Sequence, residues 1–225
     1  MSTARFLKSA GIRVGDEVVL SAYGDAEAAA AVVMAGARPV FADIDPESYC
    51  LDPDAVAAVL TSRTTAVVAV SAFGHPPDMA RIGELGRRHG LLVVGPGEAV
   101  AAPDEVGQRR SHAAYLGDRL TGVRTPVANA AHTYQRYVVR VPGNGRPDRD
   151  AFAQALRRRG VGCEVPVPTP VHRMPAFRRG VRLPETERAA DETLALPVHG
   201  SLRRRELQRM VSSCNALGGL LQPAF

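Results

Sequence analysis

One lysine, Lys8, stands among 27 arginines in this 225-residue chain. Only one side chain therefore offers an amine able to form a Schiff base with a carbonyl. Other groups with chemical potential are few and scattered. Tyr23, Asp25 and Ser71 fall at the ends of predicted strands, and His172 and Arg173 sit together in the proline-rich stretch PVPTPVHRMP. Ligands gather at strand C-termini in parallel sheets, so these five side chains could line one cleft. The bland readings compete: a lone histidine in a proline-rich loop is more often structural, and a half-buried tyrosine at a strand end is more often packing. The three cysteines, Cys50, Cys163 and Cys214, are far apart and lack CxxC spacing. That argues against a disulfide framework and against a zinc site, and buried, reduced thiols are expected.

Composition sets broad limits. With 45% hydrophobic and 23% charged residues the chain reads as globular rather than disordered, and it is long enough for one sizeable α/β domain or two small ones. No apolar run approaches the roughly 20 residues of a membrane-spanning helix, and the N-terminus lacks an apolar core followed by a small-residue cleavage site. A cytoplasmic protein without membrane contact is the expectation. The net charge of +5 is uneven, because residues 1–103 hold eight Lys/Arg against twelve Asp/Glu and the remainder carries the surplus. The surplus lies in short clusters such as Arg157 to Arg159 and Arg203 to Arg205, without interleaved aromatics or a nucleic-acid motif. Solvated helix faces or contacts with anionic small molecules are favoured over nucleic acid.

The elements that must position these residues alternate in the first half. Apolar or β-branched runs at 17–22, 38–43, 66–72 and 91–94 predict strands, and 25–35, 53–60 and 78–89 have helical composition. Four strands joined by three helical crossovers predict a mostly parallel sheet. Asp52 before Pro53, and Asp78 before a helix ending near Gly90, supply start and stop signals. The weakly patterned stretch 95–108 is the candidate boundary. Beyond it, a helix at 111–120, a strand at 136–141, a helix at 148–159, a strand at 162–167 and helices at 185–196 and 202–217 predict a smaller α/β domain.

Read in order, GDEVVLSAYGDAEAAAAVVMAGARPVFADIDPESYCLDPDAVAAVLTSRTTAVVAV resembles the middle of the large domain in the DegT/DnrJ/StrS family of PLP-dependent sugar aminotransferases. The anchors are Gly15-Asp16-Glu17-Val18, Ala35-Gly36-Ala37, Pro39-Val40-Phe41, Asp43-Ile44-Asp45 and Leu51-Asp52-Pro53. FGHPPDM, from Phe73 to Met79, is similar to the family's aromatic-Gly-x-Pro-x-Asp-Met segment. HTYQRYVVRVP, RDAFAQALRRRGVGCEVPVPTPVHRMPAF and LPETERAADETLALPVHGSL follow its small-domain pattern.

The resemblance also shows what differs. A PLP enzyme needs a lysine, an acid on the pyridine nitrogen, a ring stack and a phosphate cup. Where the family has an Asp after the fourth strand, this chain has Pro96, and Ala99 replaces the ring-touching Gln or His; Glu98 is a poor substitute two residues along. Asp25 stands at the ring-stacking position, with Tyr23 nearby. The Ser-rich segment that carries the lysine has no counterpart between Gly95 and RRSHAAYLGDRL. Only Met1-Ser2-Thr3-Ala4 stands where the Ser-Gly-Thr phosphate loop belongs, and Lys8 is misplaced for the chemistry. The motifs that survive read as framework: GDEV, AGA and DID set strands and turns, and LPETE caps a helix.

The resemblance implies an α/β fold: a partial type I PLP-transferase large domain over 1–103 and a small C-terminal α/β domain over 104–225. The expected function is that of a homologue that has lost the Schiff-base lysine and most of the cofactor site. Such a chain would be a non-catalytic accessory or pseudoenzyme in sugar or natural-product biosynthesis, with no catalytic residue, no metal and no bound PLP. Two alternatives stand beside it. One is a cofactor-free enzyme or nucleotide-sugar binder reusing the cleft of Tyr23, Asp25, Ser71, His172 and Arg173; the other is a decayed gene product. Because family members share active sites across a dimer, a homodimer or a heteromer with a full-length aminotransferase is implied.

Overall fold

A computed structural model describes residues 7, 9–24, 26–96, 103–178 and 180–221. The chain forms two compact units. The first comprises Met1–Ala72, Pro76–Glu98 and Thr169–Glu187; the second comprises Phe73–His75, Ala99–Pro168 and Arg188–Phe225. The division expected between 103 and 104 treats everything after it as one body, whereas in the structure 169–187 is part of the first unit.

The first unit is built on a parallel sheet. Its strands are β1 (Glu17–Ser21), β2 (Arg38–Ala42), β3 (Thr64–Val68) and β4 (Leu92–Val94), in the order β2-β1-β3-β4. The crossovers are α1 (Glu27–Met34), α2 (Pro53–Val59) and α3 (Met79–His89). Alternation along the strands makes two apolar layers. Val18 and Leu20 of β1, with Ala66 and Val68 of β3, pack with Val32 of α1, Val171 and Leu183. Val19 and Val67 face the other way, onto Val56 of α2 and Ile82 of α3. The local signals hold: Asp52 and Asp78 accept from the N–H groups of Asp54 and Arg81 at 3.0 Å, and Gly90 ends α3 with φ +64°.

The second unit pairs β5 (Tyr137–Arg140) antiparallel with β6 (Thr193–Leu196). Around them lie α4 (Pro103–Gly117), α5 (Arg146–Arg158) and α7 (Arg204–Leu221). Leu116, Leu156 and Met210 from these helices close over Tyr137 and Leu194. The helix α6 (Pro184–Glu192) begins in the first unit and continues into the second.

Three sequence expectations need correcting. The helix expected at 185–196 stops at Glu192, because Thr193–Leu196 are all buried and pair with β5; tertiary pairing overrides a helical pattern. The strand expected at 162–167 is reduced to a single Glu164–Ala195 bridge, since Pro166 and Pro168 remove ladder donors. The helix expected at 111–120 begins at Pro103, inside the stretch taken as a boundary loop. Among the described residues no helix is long and apolar enough to cross a membrane.

One carboxylate ties the returning segment to the sheet. Asp43, just beyond β2, accepts from the backbone N–H groups of Glu185 and Thr186 at 2.9 and 2.8 Å and from the Thr186 hydroxyl at 2.7 Å. It caps α6 from 142 residues away in sequence. In the second unit, Gly74 (φ +94°) accepts at its carbonyl from the Thr133 N–H at 2.8 Å. A Cβ there would lie 2.4 Å from the Thr133 hydroxyl. His132, 3% exposed, stacks on Tyr134 at 3.9 Å and accepts the Tyr134 N–H on Nδ1. Burial, then the charges of His75 and Arg110, hold its imidazole down at about 4.

Two outcomes are expected from urea unfolding. Asp43→Ala leaves two helix-terminal amides without their acceptor and should cost about 1–2 kcal/mol, with Asp43→Asn, which keeps one acceptor oxygen, costing less. His132 is neutral when folded and takes up a proton when unfolded. Its contribution should therefore be complete above pH ~6.5 and fall away as pH drops toward its folded value of about 4. His132→Asn should flatten that part of the midpoint-against-pH curve, and an unchanged slope would refute the assignment.

Candidate functional site

The strand order β2-β1-β3-β4 reverses direction at β1: the chain leaves β1 toward β2, then crosses back to β3. Parallel sheets hold their ligands at such a switch point, beyond the strand C-termini. Here those are the segments after Ser21 and Val68.

After β1, the Ser21 hydroxyl accepts the Tyr23 N–H at 2.9 Å, which turns the chain. Tyr23 is 5% exposed, and its ring packs on Tyr49 with centroids 5.7 Å apart. Tyr49 is itself held at φ +60°, an uncommon conformation for a residue with a side chain. Ser71, beyond β3, is exposed. Asp25 lies outside the described residues, as do Lys8, Glu98 and Ala99.

The proline-rich loop reaches the same end of the sheet. The Val171 N–H donates to the Ala22 carbonyl at 2.9 Å, which brings a 3₁₀ turn, Val171–Arg173, onto the exit of β1. His172 does not open to solvent: it is 2% exposed, and its Nε2 lies 3.2 Å from Glu187 Oε1. Facing a carboxylate, Nε2 carries the hydrogen, and Nδ1 is buried without a partner among the described residues. Arg173 pairs with the other oxygen of Glu187 at 2.9 Å and is 45% exposed. The structure thus gathers Tyr23, His172 and Arg173 around one strand end, with Ser71 beyond the end of the adjacent strand. Of these, Ser71 and Arg173 are the ones that present their side chains to solvent.

Glu187, which organises both His172 and Arg173, is absent from the sequence-derived set. Its only prior signal is its place in LPETE, 15 residues from His172, and spacing alone does not join them. At the end of β4, Gly95 packs against Met79, where a Cβ would lie 3.1 Å from the methionine methyl, and Pro96 is exposed. Neither offers a titratable group.

The thiols are unreactive by environment. Burial pushes Cys50 up to about 11 and Cys214 up to about 12, and raises the half-buried Cys163 as well. All three stay protonated near neutrality and none forms a disulfide.

The cofactor that the resemblance implies, PLP, requires an amine for the Schiff base and an acid facing the pyridine nitrogen. The described residues contain no lysine, and the exit of β4 runs Val94-Gly95-Pro96.

The comparisons agree with the architecture. A solved aminotransferase, TlmJ from Streptoalloteichus hindustanus, superposes with a TM-score of 0.86 at 25% identity, covering 97% of this chain and 83% of that one. Streptomyces venezuelae DesV superposes at 0.85 with 21% identity over 96% of this chain and 82% of its own, a likeness of fold. In sequence, the chain is 43% identical over 88 residues to the L-glutamine:2-deoxy-scyllo-inosose aminotransferase of Streptomyces kanamyceticus. That match covers 39% of this chain and 21% of the relative. It is 36% identical over 155 residues to a dTDP-3-amino-3,4,6-trideoxy-alpha-D-glucose transaminase of Micromonospora megalomicea subsp. nigra, covering 68% and 38%. The chain thus spans about a fifth to two fifths of the length of these aminotransferases. A pleiotropic regulatory protein of Geobacillus stearothermophilus is 26% identical over 299 residues, covering 91% of this chain and 79% of that protein. The sequence profile of the DegT/DnrJ/EryC1/StrS aminotransferase family matches residues 4–96 and 98–215. On that match, which takes in most of its length, the chain belongs to the DegT/DnrJ/EryC1/StrS aminotransferase family.

Proposed function

We propose that this chain is a non-catalytic member of its family, a retained scaffold that acts by association with itself or with a full-length aminotransferase of sugar or natural-product biosynthesis. The observation that carries the reading is the single lysine of the sequence, Lys8. A transaminase cannot run its proton shuttle without an amine at the cofactor, and Lys8 precedes the sheet whose C-terminal edge would hold that cofactor.

Two further observations support a loss relative to the family, and the first of them falls at the relevant place. The family profile parts at Gly97, immediately after the strand exit where the pyridine acid belongs. The alignment with the Geobacillus protein spans 299 positions, whereas 91% of 225 residues is about 205. About 94 positions of that span, 299 less 205, have no counterpart in this chain. Association is supported by β4, which pairs only with β3 among the described residues and is half-exposed along its whole length. Unpaired strand edges invite pairing.

The alternative, a nucleotide-sugar binder that uses Tyr23, Asp25, Ser71, His172 and Arg173, draws on the Ala22–Val171 hydrogen bond that brings the loop to β1. The burial of Tyr23 and His172 weighs against it, because a ligand would meet Ser71 and Arg173 before either ring.

Mixing the purified chain with PLP, reducing with borohydride and mapping peptides by mass spectrometry should yield no specific adduct; stoichiometric labelling of Lys8 would overturn the non-catalytic reading. Sedimentation should show a dimer, or a complex when a full-length family aminotransferase is co-expressed. A strict monomer in both preparations would remove the association.

A further inference from the structure

The parallel sheet of the first unit has two edges, and they are protected differently. At β2 the Arg38 N–H donates to the Asp16 carbonyl at 2.8 Å, so Arg38 turns its backbone toward β1 and the next residue turns away from it. That next residue is Pro39, which has no N–H to offer a passing strand. The Arg38 side chain beside it is 57% exposed. A charge and a proline are devices that keep a sheet edge from pairing.

The other edge, β4, carries neither. The Ala69 N–H donates to the Val94 carbonyl at 2.8 Å, and Leu92, Val93 and Val94 stand opposite Ala66, Val67 and Val68. Successive residues of a parallel pair turn their backbone groups to alternate sides. Leu92 and Val94 therefore bond to β3, while Val93 points its N–H and carbonyl outward, where neither meets a partner among the described residues. The run Leu91-Leu92-Val93-Val94-Gly95 has no charge, and no proline follows until Pro96. Both apolar layers of the sheet extend to this edge. Leu92 and Val94 pack on one layer, Leu91 and Val93 on the other, and all four are only partly buried.

We propose that β4 is the self-association surface of this chain, pairing antiparallel with β4 of a second copy across a two-fold axis at Val93. This pairing rests on the association reading above and names its partner. A two-fold contact is self-complementary: each Val93 N–H meets the other copy's Val93 carbonyl, and each Gly95 N–H meets the other copy's Leu91 carbonyl. The pairing joins two four-stranded sheets into one of eight, continues both apolar layers across the join and leaves the two β2 strands as the outer edges. Docking β4 on a neighbour's β2 instead would propagate as an open filament. Pro39 removes an outward donor from β2, which directs β4 to its own copy.

Amide exchange on the full chain, followed by NMR, reads this contact directly. The Val93 N–H should be protected at concentrations where sedimentation shows a dimer and should exchange about tenfold faster or more on dilution to the monomer. The Val94 N–H, bonded to β3, should keep its protection throughout. Val93→Pro removes the outward donor and leaves the β3 ladder its bonds, so it should weaken dimerisation about tenfold or more while unfolding stays cooperative. If that variant does not fold, the wild-type exchange decides alone. A Val93 amide that exchanges freely within a wild-type dimer, or a dimer equally tight in folded Val93→Pro, would overturn this interface and leave association through another surface standing. A wild-type monomer at every concentration would overturn it and self-association with it. A complex formed only with a full-length aminotransferase would overturn it and leave heteromeric association in place.

Discussion

Three hydrogen bonds to the Asp43 carboxylate hold the first unit together as a discontinuous body. The sheet is laid down by residues before position 95, yet one of its apolar layers is completed by Val171 and Leu183 from a segment that returns much later. Backbone amides at a helix N-terminus have no partner within the helix. By accepting from two of them, Asp43 fixes both where α6 begins and which way it leaves. The position of Glu187 follows from that, and through Glu187 the positions of His172 and Arg173.

The other motif carboxylates of the first half have comparable local duties. Asp16 accepts the Arg13 N–H at 2.7 Å at the entrance to β1. Asp45 accepts from the N–H and hydroxyl of Ser48 at 2.7 and 2.8 Å. Glu17, 2% exposed, takes the Thr61 hydroxyl at 2.6 Å and the Arg63 guanidinium at 3.0 Å. The Thr61 hydrogen bond, then those and the charges of Arg63 and Arg38, outweigh burial and hold its carboxyl below the ordinary range. The residues that carry the family likeness here are therefore bonded into framework, which a scaffold needs whether or not it performs chemistry.

Much of the fold was legible because its signals are local. Asp52-Pro53, Asp78 and Gly90 act within one helical turn of themselves, and the alternation of Val18, Val19 and Leu20 marks a strand buried on both faces. The failures share a cause of the opposite kind. Thr193–Leu196 follows a helix without a break in composition and becomes a strand only because β5 lies beside it. Likewise, the position of Tyr23 at a strand end is local information, whereas the burial of His172 depends on Glu187. Arg124 and Arg140 are 16 positions apart, and only the antiparallel bridge makes neighbours of them.

The return of Thr169–Glu187 to the first unit also orders events in time. A ribosome emits the chain from its N-terminus, and domains tend to fold as they emerge. Here the parallel sheet must wait with one layer open while residues 99–168, which belong to the other unit, are synthesised. Only after Glu187 clears the exit tunnel can Asp43 find its amides. Neither unit can therefore close early: the first is complete only at Glu187, and the second, which needs β6 and α7, only after it.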